Sequence, residues 1–281
     1  MLTQAIIIKK QNTNEYDQLI VCYTKEFGKI TAIAKSILKP GSVQAMHLDV
    51  LNLVEFDLVG GSASWRMPII TGAQCEKPYR GIKNSLPAFA AASFIIEVLD
   101  KIIFDGEKDG ELWKFVVGVL EKLEINPGNL LPFFRNSQAE LLKLLGYFPM
   151  LERCVLCSLE MNPERSRTRD KSAALYGMNP ERDREGTQRA SVLYGMKNTE
   201  GWSLSLEMGG ALCKNCFLRG AKGMLLKTAD WACLAGGRDY SNSSGLSELP
   251  AEPKRSILDG LFEHTFDTRF KSLDFLYQVI K

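Results

Sequence analysis

Two Cys-x-x-Cys pairs, Cys154-Val155-Leu156-Cys157 and Cys213-Lys214-Asn215-Cys216, constrain the fold of this chain more than any other feature. Two residues between thiols let both sulfurs of a pair face one ion, and two pairs complete the tetrahedral S4 set that suits Zn2+. The chain must then bring residues 154–157 against residues 213–216. A full thiolate set leaves no open coordination position, so the expected Zn2+, one per chain, is structural. The stretch between the pairs is much longer than the usual ~15–20 residues. Loop closure grows only logarithmically with length, which adds roughly 1 kcal/mol. A structural zinc contributes roughly 10–16 kcal/mol of apparent binding energy, so the site is expected to tolerate the long connection. Gly209-Gly210 permits the tight turn that such a knuckle needs. The other reading is two unrelated buried pairs.

Seven cysteines, an odd number, favour metal over disulfides in a reducing compartment. That compartment is the expected one. Met1 to Lys10 has no basic leader region and no small-residue cleavage site, and reads as a strand. No stretch approaches the roughly 20 apolar residues of a membrane span. Cys22, Cys75 and Cys233 lie in apolar or mixed stretches and read as plain buried thiols rather than nucleophiles.

The first eighty residues alternate short apolar runs with turn signals. The runs are Ala5–Ile8, Leu19–Tyr23, Ile30–Ala34, Val50–Val59 and Trp65–Ile70, broken at Asn12-Thr13-Asn14, Glu26-Phe27-Gly28, Lys39-Pro40-Gly41-Ser42 and Gly60-Gly61. Five short strands in so compact a unit fit a Greek-key barrel such as an OB-fold, and an SH3-like barrel nearly as well. From Leu86 to Gly146 the period becomes helical, with Phe89, Ala92, Ile96, Leu99 and Ile103 on one stripe and Leu112, Phe115, Val116, Val119 and Leu123 on another. Three helices there would form a small bundle. The expected class is α+β, with a barrel domain at 1–80 and a helical domain at 81–281 that carries the cysteine module at 150–220.

Inside that module Met161-Asn162-Pro163-Glu164-Arg165 recurs as Met178-Asn179-Pro180-Glu181-Arg182, and Leu175-Tyr176-Gly177-Met178 as Leu193-Tyr194-Gly195-Met196. The repeat is too short and too polar for a packed solenoid. Residues 161–198 read as a duplicated insertion, loosely ordered or disordered. After Cys216 the sequence predicts a helix over Leu226–Leu234, a linker over Ser241–Pro253, and one long helix over Ile257–Ile280.

Net charge is only +2, so a nucleic-acid partner would have to be read from local clustering. The N-terminal unit supplies such a cluster in Lys9, Lys10, Lys25, Lys29, Lys35 and Lys39. These residues would track phosphates, with Tyr23, Phe27 or Trp65 for base stacking. A solvated lysine face over core aromatics is the alternative. No phosphate-binding loop, nucleophile elbow, zinc-protease helix or dinucleotide fingerprint is present, and only two histidines occur, so no enzyme is expected. The acids Asp105, Glu107, Asp109 and Glu111 read as a solvated loop rather than a nuclease centre.

Four ordered patterns resemble the RecO family of bacterial recombination mediators. They are Asn14-Glu15-Tyr16-Asp17 leading to Thr24-Lys25-Glu26-Phe27-Gly28-Lys29; Phe134-Arg135 with Glu140–Pro149 running into the first cysteine pair; Gly209-Gly210-Ala211-Leu212 before the second pair; and Lys271-Ser272-Leu273-Asp274-Phe275-Leu276. The resemblance implies an N-terminal OB-fold, a helical domain with a zinc module, and a cytoplasmic, nucleoid-associated DNA-repair protein of the RecFOR pathway. It also implies binding to single- and double-stranded DNA, annealing of complementary strands, and recombinase loading on protein-coated single strands. The implied partners are RecR and the acidic C-terminal tail of single-strand-binding protein. Arg135, with Phe134 and Leu141, matches the family position for the tail, since a guanidinium pairs bidentately with a carboxylate. Arg135 could equally cap its own helix bundle. The turn after Lys35 reads Ser36-Ile37-Leu38-Lys39 where relatives often carry glycine and arginine. A zinc-ribbon protein acting on RNA or in transcription is the alternative reading.

Overall fold

The computed structural model describes residues 1–60, 67–125, 130–160, 202–226, 234 and 254–280. The duplicated segment at 161–198, Trp65, Cys233, the linker Ser241–Pro253 and most of the helix expected over Leu226–Leu234 lie outside these residues. The chain forms two compact units, one of residues 1–137, 251–255 and 266–281, the other of residues 138–250 and 256–265.

The first unit opens with strands β1 (Leu2–Asn12), β2 (Gln18–Thr24) and β3 (Gly28–Ala34), a short helix α1 (Gln44–His47), then β4 (Leu53–Val59) and β5 (Ile69–Lys77). They close into a barrel in the order β1-β2-β3-β5-β4, with β4 pairing back onto β1. Strand β3 meets β5 in parallel and the other pairs are antiparallel, so the barrel is of the OB type. Inward side chains follow the period of two: Ala5 and Ile7, Ile20 and Cys22, Ala32 and Ala34, Val54, Phe56 and Leu58 form one apolar core. Strand β1 is buried on both faces, because Ile6 and Ile8 on its outer side are covered as well. The strands run past the apolar runs that announce them. Strand β5 extends through Thr71-Gly72-Ala73 to Lys77 because its ladder with β4 satisfies backbone groups whatever the side chains are.

Helices α2 (Arg80–Asn84), α3 (Leu86–Ile102) and α4 (Gly110–Ile125) follow. The Glu124 carboxylate caps α2 by accepting from the amides of Gly81 and Ile82, both at 2.9 Å. Asp109 Oδ1 caps α4 through Glu111 N at 2.8 Å and Leu112 N at 3.1 Å. Helix α5 (Leu130–Leu144) places Phe134 edge-on to Phe94 of α3, with ring centroids 5.3 Å apart. The predicted long C-terminal helix is two helices, α7 (Ile257–Thr265) and α8 (Lys271–Val279), which fall in different compact units. The break is at Asp267, whose φ of 44° is left-handed and cannot continue a helix. Apolar periodicity ran on through it because Phe266 and Phe270 are both core-type residues. Glu97 of α3 accepts from the amides of Lys271 and Ser272 at 3.1 and 2.9 Å and so fixes the start of α8.

One polar cluster joins the barrel to α2. Asp49 Oδ1 takes Lys10 Nζ at 2.8 Å, its Oδ2 takes Lys83 Nζ at 3.0 Å, and Lys83 also donates to Asn52 Oδ1 at 2.6 Å. Burial opposes the charged form of Asp49, but the two ammonium groups outweigh it and hold its carboxyl at about 2. A depressed folded-state pKa gives stability that is complete above the unfolded value, near 4, and lost as pH falls through the folded one. Asp49→Asn is therefore expected to lower stability by only about 1 kcal/mol at neutral pH, since the pair is half exposed and screened. The gap between wild type and variant in urea unfolding should shrink between about pH 4 and pH 2; a gap independent of pH would show that the lysines do not stabilise the carboxylate.

In the second unit, β6 (Ser203–Ser205) pairs with β7 (Gly210–Leu212) on one side and β8 (Met224–Leu225) on the other, and α6 (Lys214–Leu218) begins at Cys213. Asp259 of α7 is wholly buried, and it accepts from Gln138 Nε2 at 2.8 Å and Ser256 N at 2.7 Å. Among the described residues no helix is long and apolar enough to cross a membrane.

Candidate functional site

The second unit brings the two cysteine pairs together. One ligand atom from each of Cys154, Cys157, Cys213 and Cys216 lies within 4.8 Å of every other, and Cys157 Sγ is 3.6 Å from Cys213 Sγ. Four sulfurs at about 2.3 Å from a tetrahedral zinc would stand ~3.8 Å apart, so the set has the size of a metal shell. Main-chain geometry explains how. Cys154 N donates to Leu159 O at 2.8 Å and Ser158 N to Cys154 O at 2.9 Å, which folds the first knuckle. Val155 N donates to Ala211 O at 2.9 Å, which docks that knuckle on β7. Gly209 turns the β6–β7 hairpin with φ of 66°. Gly210 is needed for a different reason: a Cβ there would lie 2.5 Å from Val155 Cγ1 and 2.7 Å from Met150 O. Burial alone would raise the Cys154 thiol, but amides of Cys213, Cys157 and Leu156 outweigh it and bring it to about 6. Cys213 and Cys216 are pushed up, by burial first and then by the sulfurs beside them. A cation among four such thiols would relieve both effects, so the cluster could hold a metal ion.

Cys22 lies in the barrel core, its thiol pushed up by burial, and Cys75 is half-buried against the same core.

The six lysines divide into two sets. Lys9, Lys25, Lys35 and Lys39 are exposed. Lys10 is committed to Asp49, and Lys29 donates to Asp100 O at 2.9 Å beside Asp105 Oδ1 at 3.5 Å, with its side chain only 12% exposed. Tyr23 is fully buried, 6.1 Å from the Trp113 ring, and Phe27 packs on the barrel core, so neither presents a stacking face. Among the described residues, Tyr16 is an exposed aromatic beside Lys39, with its ring centroid 5.4 Å from Lys39 Nζ. Sequence reasoning passed over Tyr16 because it sits in a turn between strands.

Residues 1–78 match the family described as Recombination protein O N terminal, and residues 83–226 match Recombination protein O C terminal. The chain belongs to the RecO family. Relatives called DNA repair protein RecO include that of Thermoanaerobacter sp. (strain X514), 27% identical over 57% of this chain and 63% of the relative. That of Moorella thermoacetica is 28% identical over 56% of this chain and 57% of the relative. That of Rhodopirellula baltica is 24% identical over 89% of this chain and 75% of the relative. The chain thus spans about three fifths of the length of the first two, as 63% and 57% state.

The RecO-like pattern from Thr24 to Lys29 has a structural reason in this member. Thr24 Oγ1 donates to Gly28 O at 2.9 Å and accepts from Phe27 N at 3.0 Å, which closes the β2–β3 hairpin. Gly28 then rests against the loop before α4, and Gly106 N donates to Lys29 O at 2.8 Å. The motif latches the barrel to the helices of the same unit. Phe134, Arg135 and Leu141, expected at a partner contact, are interior residues, at 2%, 2% and 1% exposure, and Arg135 Nη2 donates to Lys254 O at 2.9 Å.

Proposed function

We propose that this RecO-family chain is a non-enzymatic DNA-binding protein of recombinational repair, cytoplasmic and nucleoid-associated, in which the barrel tracks phosphates and a structural Zn2+ holds the cysteine module. The observation that carries the reading is the OB-type barrel with Lys9, Lys25, Lys35 and Lys39 exposed and Lys10 and Lys29 tied to acids or carbonyls. Exposed ammonium groups neutralise phosphates and release counterions, which lets two complementary polyanions approach. Annealing needs that and no covalent step. Four thiols in one shell favour Zn2+ over harder cations.

The expected sequel is annealing of complementary strands, on naked DNA and on strands coated by single-strand-binding protein, and recombinase loading with RecR as partner. The acidic tail of the coating protein is a partner on the same reading. Arg135 is buried and its Nη2 already donates to Lys254 O at 2.9 Å, so a tail carboxylate there would compete with that carbonyl.

Replacing Lys9, Lys25, Lys35 and Lys39 together with Ala is expected to weaken binding to DNA of any sequence and to lower the salt slope by roughly two to four. Fluorescence anisotropy at several salt concentrations measures both. Unchanged affinity and slope would leave the lysines as a solvated face, and tighter binding of structured RNA than of single-stranded DNA would favour an RNA-directed protein.

A further inference from the structure

Asp17 sits in the turn between β1 and β2, between two loops that the ladder brings side by side. Asn14 organises the turn: its Oδ1 accepts from the amides of Tyr16 and Asp17 at 2.9 and 2.7 Å, and its Nδ2 donates to Asp17 Oδ2 at 3.0 Å. The other carboxylate oxygen, Asp17 Oδ1, accepts from Ser36 N at 2.6 Å. Ser36 has φ of 56°, a left-handed backbone that residues other than glycine avoid. Leu38 N donates to Tyr16 O at 3.0 Å, and Ile37 is buried in the barrel core. The segment from Lys35 to Lys39 is therefore anchored at Ile37, pinned at Ser36 and Leu38, and left exposed at the two lysines.

By charge alone Asp17 is misplaced, since a carboxylate near Lys35 and Lys39 opposes an approaching polyanion. Its value must then lie in geometry. We propose that Asp17 is a positioning residue that holds Lys35 and Lys39 for phosphate contact by fixing the left-handed Ser36. The inference rests on the DNA contacts proposed for those two lysines.

The test turns on a sign. Removing an acid from a DNA-binding face ordinarily tightens binding. For the full-length chain and a fluorescent oligothymidine, Asp17→Ala is expected to weaken binding about three- to tenfold and to lower the salt slope by about one. Asp17→Asn keeps an acceptor for Ser36 N and loses the charge, so it should bind at least as tightly as wild type. Glu15→Ala, an exposed acid in the same turn, should bind as tightly or more tightly. Equal or tighter binding by Asp17→Ala, or equal losses in Asp17→Ala and Asp17→Asn, would overturn the proposal. If Asp17→Ala does not fold, Asn14→Ala takes its place, with weaker binding expected and unchanged binding against the idea. Lys35→Ala/Lys39→Ala is the reference: no loss there sinks the DNA-contact reading itself, whereas a loss there without one in Asp17→Ala sinks only the positioning role.

Discussion

Gly28→Ala is expected to lower stability by about 2–5 kcal/mol, the sum of a left-handed penalty of roughly 1–2 and an overpacking cost of roughly 1–3. A Cβ at Gly28 would lie 2.0 Å from Glu107 O and 2.4 Å from Glu107 C, and both are backbone atoms that no rotamer change can move aside. The residue also has φ of 67°, so the methyl group is unwelcome on both counts. A melting temperature lower by on the order of 10 °C would match that cost in a chain of this size. Gly41→Ala supplies the comparison, because Gly41 has φ of 83° and nothing within 4 Å of its would-be Cβ. That variant should lose only the roughly 1–2 kcal/mol of backbone strain. Similar losses in the two variants would mean that the hairpin does not rest on the loop before α4.

Removing Zn2+ from the cysteine cluster, the metal proposed there, is the second large effect expected. The four thiols of Cys154, Cys157, Cys213 and Cys216 form one candidate shell. If one Zn2+ sits there, its removal takes away folding support on the order of 10 kcal/mol. Cys154→Ser should abolish stoichiometric zinc, and hydrogen exchange should show the amides of β6 and β7 losing protection. Ligand sulfurs must be thiolates, so falling pH releases the ion and rising pH retains it. Protein purified without added zinc and carrying well under one equivalent, with β6 and β7 still protected, would refute a structural zinc.

The cysteine centre was legible because its information is local. A spacing of two residues points both sulfurs of a pair one way, and two like pairs can meet as one four-sulfur cluster that could hold a metal ion. The barrel was legible for a similar reason, since alternation in β2 and β3 is a property of neighbouring residues. Helix continuity at the C-terminus was misread because the apolar stripe from Leu261 to Tyr277 continues through a break that a single left-handed aspartate makes.

The sequence by itself determined the strand and helix periods, the four clustered cysteines and the family, all of which depend on residue type at short or fixed spacing. Tertiary structure alone decided which lysines are free. Lys29 finds its carbonyl 71 positions along the chain, and Lys10 its carboxylate 39 positions along. Nothing in a lysine's own neighbourhood announces such a partner. The same holds for Tyr23, which looks available beside a hairpin but is buried against Trp113, and for Asp17, whose role appears only when the pairing of Gln18 with Ala34 sets its turn beside Ser36. An ionic or packing contact is a property of two residues, and only the fold says which two meet.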